Sequence, residues 1–305
     1  LAPIYEAQKT SILASEVLTM DETPIKASRK EKGKMKTGYF WPVFGDKAEI
    51  IFPFSMTRAG KVIHELLGEY CGTLQTDGYE AYASFVASVE GVEHAQCWSH
   101  TRRKFIEAEG VEPKLVSHGL ALVRSLYEAE EQIRVQELFD ESKLRYRGEH
   151  SKPCVDEFFV WLRSAMDEHL LLPSSPFTKA AHYALSRERA LRVFLANPNV
   201  SLDTNHLERE IRPIALGRKN WLFCWSEVGA KYVGVVQSLL ATCRLHGIDA
   251  YTYLVDVLQR IDSHPAQDVG ELTPRLWKER FAERPLRSDV DLMRKSAAQA
   301  VSSTP

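Results

Sequence analysis

Apolar positions recur along the chain with two different periods, and the change of period divides it. Glu16 to Thr23, EVLTMDET, is a short run of β-formers that ends in acids before Pro24. The pattern predicts a strand with Asp21 at its carboxyl end. Gly38 to Gly45 and Ala48 to Phe54 read as two further strands joined tightly through Asp46 and Lys47, and the basic segment before them as a loop. Val62, Ile63, Leu66 and Leu67 then fall at helical spacing. Gly72 to Gly78, GTLQTDG, repeats the first arrangement, a short strand tipped by Asp77. A helix is expected from Tyr79, and a strand over Val92 to Cys97 leads into a helix carrying His100, Arg102, Arg103 and Lys104.

From about Pro113 to Ala196 the pattern is wholly helical, which predicts an inserted helical subdomain. Ser201 to Phe223 packs acids, cations and amides into one helix and its exit. Asp203 is the expected N-cap, Leu207, Ile211 and Ile214 form an apolar seam, and Asn205, Glu208 and Arg212 share another face. Pro213 should weaken or kink this helix, and Gly217 suits its end. Ala230 to Leu245 and Tyr251 to Ile261 are two more helices, expected to pack on the sheet. Past Asp262 the composition turns to Pro, Ser, Gln and charge, the mark of a loosely held tail. The expected organisation is therefore a core over 1–110, a helical insertion over 111–197, a second core segment over 198–262 and a tail over 263–305.

A chain of 305 residues with 44% hydrophobic and 26% charged residues can bury one large core or two modest ones. No apolar run approaches the roughly 20 residues that span a bilayer, so no membrane partner is expected and the cytoplasm is the expected compartment. Five scattered cysteines with no CxxC pair exclude a disulfide framework and a four-cysteine zinc site. The net charge of −2 argues weakly against nucleic acid, yet Lys26 to Lys36, Arg102 to Lys104 and Arg209 to Lys219 are locally basic. The missing initiator Met reads as the mark of a fragment.

Three acids carry the chemistry. Asp21 and Asp77 each stand at the end of a short strand, and Glu208 follows, past the helical stretch, on a helix among cations. Together they suit two-metal phosphoryl transfer, in which carboxylates hold two hard cations, Mg²⁺ with Mn²⁺ as a substitute. Glu22 should face away from Asp21, because neighbours on a strand point to opposite faces. Cys97 and His100 form a CxxH step read as structural, a buried thiol and a hydrogen-bonded imidazole bracing their helix, with zinc binding as the alternative, since two ligands alone do not close a zinc site. His206 reads as an exposed helix residue. The element order is consistent with an α/β, ribonuclease-H-like mixed sheet with flanking helices.

DETPIK, KTGYFWPVF, GTLQTDGYEAY, HAQCWSHTRRKF, LDTNHLEREIRPIALGRKNWLF and GIDAYTYLVDVLQRI resemble, in order, the transposases of the insertion-sequence-66 family. The resemblance spans about Met20 to Ile261. It implies a DDE-type DNA transposase with Asp21, Asp77 and Glu208 as its triad, and an all-helical insertion between the second Asp and the Glu. With that triad, Arg102, Arg103, Lys104, Arg209, Arg212, Arg218, Lys219 and Asn220 are expected to contact DNA phosphates. The resemblance also implies homo-oligomers in the active complex and helper proteins from the same element. The chain departs from the family pattern at several points: Asp203, Thr204, Asn205 stands where aspartate, asparagine, asparagine is usual, His206 where alanine is common, Ala250 where proline is frequent and Trp225 where glycine is common. A hydrolytic nuclease of the same fold and a decayed DNA-binding protein are the alternative expectations.

Overall fold

The computed structural model describes residues 1–31, 34–168, 172–221, 223–224 and 226–290, with the backbone alone at 28–31, 219–221 and 223. In chain order it opens with helix α1 (Ala2–Leu13), followed by strands β1 (Val17–Met20), β2 (Thr23–Glu31), β3 (Lys34–Phe40), β4 (Val43–Gly45), β5 (Glu49–Ile51) and β6 (Phe54–Ser55). Then come α2 (Lys61–Leu67), β7 (Gly72–Thr76), α3 (Glu80–Ser88), β8 (Val92–Gln96) and α4 (Trp98–Glu107). The helical stretch holds α5 (Pro113–Val135), α6 (Asp140–Tyr146), α7 (Lys152–Glu168), α8 (Pro176–Leu185) and α9 (Glu188–Arg192). It is followed by α10 (Asn205–Trp221), β9 (Phe223–Cys224), α11 (Glu227–Leu245), α12 (Ala250–Arg260) and α13 (Pro274–Arg280). The fold is α/β, and the chain forms two compact units.

One unit comprises Glu16–Asp21 and Ala59–Ile214. Within it β1, β7 and β8 run parallel, with β7 between the other two. All four residues of β1 are buried, as expected for a strand covered on both faces. The helices of 113–195 do not build a core of their own. Val123, Phe158, Phe159, Phe177 and Phe194 pack in one continuous cluster with Val17 of β1, Ala95 of β8 and Trp98 and Phe105 of α4. Trp98 Nε1 donates to the Leu191 carbonyl at 2.9 Å, so this ring satisfies its one polar atom inside the cluster.

The other unit comprises Leu1–Ser15, Glu22–Arg58 and Ala215–Pro305. Here the basic segment Lys26 to Lys36 differs from the expected loop: β2 and β3 form a long antiparallel hairpin through it, and β9 adds in parallel to β2, giving a mixed sheet. Pro24 does not end a strand but is the second residue of β2. The tight β4 to β5 connection at Asp46 and Lys47 is present, with Ala48 at φ 54° completing the turn. α11 packs on β5, and a Cβ at Gly234 would collide with the Phe52 carbonyl, so glycine is required where this helix meets the sheet.

The segment after Asp262 is a further correction. A 3₁₀ turn over Ala266–Leu272 and helix α13 pack Leu272 and Trp277 against α11 and α12 in a cluster with Ile4, Leu239, Cys243, Tyr253 and Val257. Asp256, fully buried, holds this segment by accepting from Trp277 Nε1 at 2.9 Å and from the Leu286 amide at 2.6 Å. Residues 291–305 lie outside the described residues.

Candidate active site

The parallel register of β1 and β7 pairs Val17 with Thr73, Leu18 with Leu74 and Thr19 with Gln75. Asp21 follows β1 directly and Asp77 follows β7, so the parallel pairing leaves both aspartates just past the carboxyl ends of neighbouring strands. Within the strands, Thr19 shares one side of the sheet with Gln75, while Thr76 and His94 share the other. Asp77 Oδ1 accepts from the Tyr79 amide at 2.8 Å, which ties the carboxylate to the turn that starts α3.

The segment carrying Glu208 covers the Thr19 side. Gln75 Nε2 donates to the Ser201 carbonyl at 2.6 Å, and His206 Nε2 lies 3.2 Å from Thr19 Oγ1. His206 is therefore half-buried against β1, unlike the exposed residue its position suggested. Burial lowers its pKa, Asp203 opposes that shift and Arg209 adds to it. Leu207 fills the buried side of α10. Glu208 leaves on the opposite flank from His206, its Oε1 3.7 Å from Arg103 Nη2 and 3.8 Å from His100 Nε2. Its near cations thus come from α4, whereas Arg212, one turn along, is exposed.

α10 itself differs from its expected form in three respects. Thr204 is the cap, since its carbonyl receives the first helical bonds from Leu207 and Glu208. Asp203 sits one residue earlier, accepting from the Asn205 amide at 3.0 Å and from Asn205 Nδ2 at 2.5 Å. The helix runs on through Pro213 and Gly217 to Trp221.

Cys97 is buried, and its sulfur accepts from both the amide and the hydroxyl of Thr204 at 3.3 Å. Burial pushes this thiol up and the bonds from Thr204 oppose it. His100 does not brace its own helix by a side-chain bond. Its Nδ1 is buried without a partner, and its ring faces the acids. Burial lowers its pKa, the charges of Asp77 and Glu208 draw it back up, and Arg103 and Lys104 push it down. Among the described residues, no three His, Cys, Asp or Glu side chains are gathered closely enough to hold a metal ion.

The cations divide by what they touch. Arg102, Arg103, Arg209 and Arg212 are exposed, while Lys104 Nζ pairs with Glu107 at 3.0 Å. Arg218 Nη1 donates to the Pro24 carbonyl at 2.7 Å, so its head is engaged on β2. The side chains of Lys219 and Asn220 lie outside the described set. Glu22, only 4% exposed in its side chain, is held by Arg58, with Arg58 Nε donating at 2.8 Å.

Arg187 and His94 are polar groups that sequence reasoning missed. Arg187 stacks on Tyr183 at 4.1 Å and donates to the carbonyl of Gly78, the residue after Asp77. A Cβ at Gly78 would stand 2.5 Å from Tyr183 Oη, which accounts for that glycine. His94 Nε2 lies 2.9 Å from Thr76 Oγ1, and burial with help from Arg187 lowers its pKa to about 4. With Gln96 and Arg189 they line a cavity of about 590 Å³. No spacing signals this, because Arg187 lies far along the chain from β7 and β8.

These features describe an α/β protein whose parallel strands β1 and β7 lead, at their carboxyl ends, into Asp21 and Asp77. The chain matches the transposase IS66 family over residues 1–232 and the IS66 C-terminal element over residues 238–275. It belongs to the IS66 transposase family. Among curated relatives, a Sinorhizobium fredii protein titled "Uncharacterized protein y4hP" is 32% identical over 302 residues, covering 91% of this chain and 54% of that protein. A second from the same organism, "Uncharacterized protein y4qI", is 30% identical over 275 residues, covering 85% of this chain and 50% of that protein. The chain thus spans about half the length of the curated relatives it matches. Among the described residues, no helix is long and apolar enough to cross a membrane.

Proposed function

We propose that this chain is the catalytic region of a DNA transposase on a ribonuclease-H-like fold, with Asp21, Asp77 and Glu208 as its acidic triad. The observation that supports this reading is the β1 to β7 register, which pairs the strands that lead directly into Asp21 and Asp77, while Gln75 and Thr19 on those strands bond to the segment carrying Glu208. An all-oxygen donor set suits hard divalent cations, and the three carboxylates would hold Mg²⁺, or Mn²⁺ in its place. When bound, such ions supply activation of the attacking oxygen and neutralisation of the leaving one.

Everything else falls to the chain. The Tyr79 amide keeps Asp77 oriented, and Arg103 faces the charge of Glu208, with the His100 ring beside it. Exposed Arg209 and Arg212, next to Glu208, would take the DNA phosphates. In the first step a water oxygen bonds to phosphorus as the P–O3′ bond breaks, leaving a 3′-hydroxyl and a 5′-phosphate. In the second, that 3′-hydroxyl bonds to a target phosphate and displaces its 3′ oxygen. Homo-oligomers and helper proteins of the same element belong to this reading as its expected partners.

The test is a cleavage and joining assay with DNA carrying the element ends, in Mg²⁺, with wild type and Asp77→Asn. Cleavage and joined products from wild type, and neither from the variant, support the proposal. Cleavage that never yields joined products would leave a hydrolytic nuclease, and cleavage by Asp77→Asn would remove the triad.

A further inference from the structure

We propose that Cys97 is a positioning residue, whose contact with Thr204 fixes where Glu208 stands beside His100 at the start of its helix; this rests on the triad reading above. Two helices begin at this contact. Cys97 is the N-cap of α4, and Thr204 is the N-cap of α10. Their caps are joined by two bonds to one sulfur, from Thr204 N and Thr204 Oγ1, each 3.3 Å. A third bond, from the Trp98 amide to the Leu202 carbonyl at 3.1 Å, locks the residues beside them.

One helical turn beyond the joined caps, the two helices present functional side chains to each other. His100 is three residues past Cys97 and Glu208 four past Thr204, and they meet at 3.8 Å. Because side chains three and four apart share a helix face, the start of each helix dictates where that pair falls. A shift at the caps would carry Glu208 away from His100. Cys97 and Thr204 are both almost fully buried, 1% and 2% exposed, so no solvent competes for these bonds.

The residue types suit the task. Sulfur is large and polarisable, and it accepts two long bonds from one neighbour without drawing the helices closer. Thr204 donates its hydroxyl proton to the sulfur, which leaves the lone pairs of Oγ1 to face its own helix. The CxxH step then acts as a unit without zinc: Cys97 fixes the origin of both helices, and His100 faces the acid that origin positions.

Mn²⁺ binding provides the test, with free Mn²⁺ followed by electron paramagnetic resonance and thermal unfolding measured on the same samples without metal. Thr204→Val keeps the volume and the amide bond but loses the hydroxyl, and Cys97→Ala loses both bonds. Each should weaken Mn²⁺ binding by roughly tenfold, as loss of groups that orient metal ligands does, with Thr204→Ser within about twofold of wild type. A purely structural contact would lower the unfolding temperature and leave the Mn²⁺ dissociation constant unmoved. An unchanged constant in Thr204→Val therefore overturns the inference, even if Cys97→Ala fails to fold. Wild-type binding insensitive to Glu208→Gln would overturn the triad reading and this inference together, whereas sensitivity to Glu208→Gln with an unmoved Thr204→Val overturns this inference alone.

Discussion

Nε2 of His206 stands 3.2 Å from the hydroxyl of Thr19, so the helix that carries Glu208 is tied to the strand that Asp21 follows. Each member of this pair lies two positions before its acid. The contact joins sequence positions 187 apart, and with the β1 to β7 register it draws the elements that bear the three proposed carboxylates into one unit.

Asp21→Asn, Asp77→Asn and Glu208→Gln are each expected to reduce Mg²⁺-dependent strand cleavage about a hundredfold to a thousandfold or more, with unfolding temperatures near that of wild type. Glu22→Gln is the control. Its carboxylate is engaged by Arg58, so the substitution should cost about 1 kcal/mol of stability and leave cleavage within a few fold. Parallel cleavage and thermal unfolding measurements separate the two patterns, and a larger cleavage defect in Glu22→Gln than in Asp21→Asn would reverse the assignment.

Exposed and engaged arginines should answer differently to salt. Arg212→Ala is expected to flatten the slope of log affinity against log salt by about one unit on any duplex, the loss of one phosphate contact. Arg218 already donates to the Pro24 carbonyl. Arg218→Ala should therefore lower stability by about 1 kcal/mol and move the slope less than Arg212→Ala does. Fluorescence anisotropy titrations at several salt concentrations measure both slopes.

The acid-tipped strands are readable because short β-former runs closed by an aspartate and a turn are local signals. Their parallel pairing is not, since the register of β1 is set by a partner that follows only after the β2 to β6 segment and α2. The segment Lys26 to Lys36 reads as a loop because its charge outweighs the β-formers around it, yet β2 is held in place by β3 and by β9, which arrives only after the whole helical stretch. Pro213 reads as a break because its cost is local. Buried Leu207, Ile211 and Ile214, on either side of it, keep α10 continuous. Glu208 can be identified from its setting, but its neighbours His100 and Arg103 cannot, because the expected i+4 partner Arg212 lies on the same helix and α4 does not.

His94 makes stability depend on pH in the mildly acidic range. Its folded pKa is lowered to about 4 by burial and Arg187, below the ordinary 6.5, so between those values the unfolded chain takes a proton that the folded one refuses. Stability should fall as pH drops from about 6.5 to about 4, by an amount on the order of 3 kcal/mol for this group. His94→Gln can keep a polar contact with Thr76 and has no proton to take. Urea unfolding between pH 4 and pH 7 should show a flatter profile for the variant, and parallel profiles would mean that His94 does not contribute.

Asp256 should be the most costly single site in the C-terminal segment. Its buried carboxylate accepts from Arg260 Nε at 2.8 Å and Arg260 Nη2 at 2.7 Å, from Trp277 Nε1 and from the Leu286 amide, joining α12, α13 and the chain beyond. Burial pushes its carboxyl up, but the bonds from Arg260, Trp277 and Leu286 outweigh burial and hold it below the usual range. Its stabilisation is therefore present at neutral pH and is lost as pH falls through that depressed value. Asp256→Ala leaves the Trp277 indole and the Arg260 guanidinium without their acceptor, and breaking a buried ion pair from one side costs about 3–5 kcal/mol. Because Trp277 is anchored by that carboxylate and packs on Tyr253 with ring centroids 5.4 Å apart, the loss should loosen Pro274 to Leu286 before the rest of the unit. Limited proteolysis should cut the variant first within 274–286, while Trp277→Phe, which keeps the packing and removes one bond, should be cut there more slowly. Equal protection of that stretch in Asp256→Ala and wild type would show that apolar packing alone holds the segment.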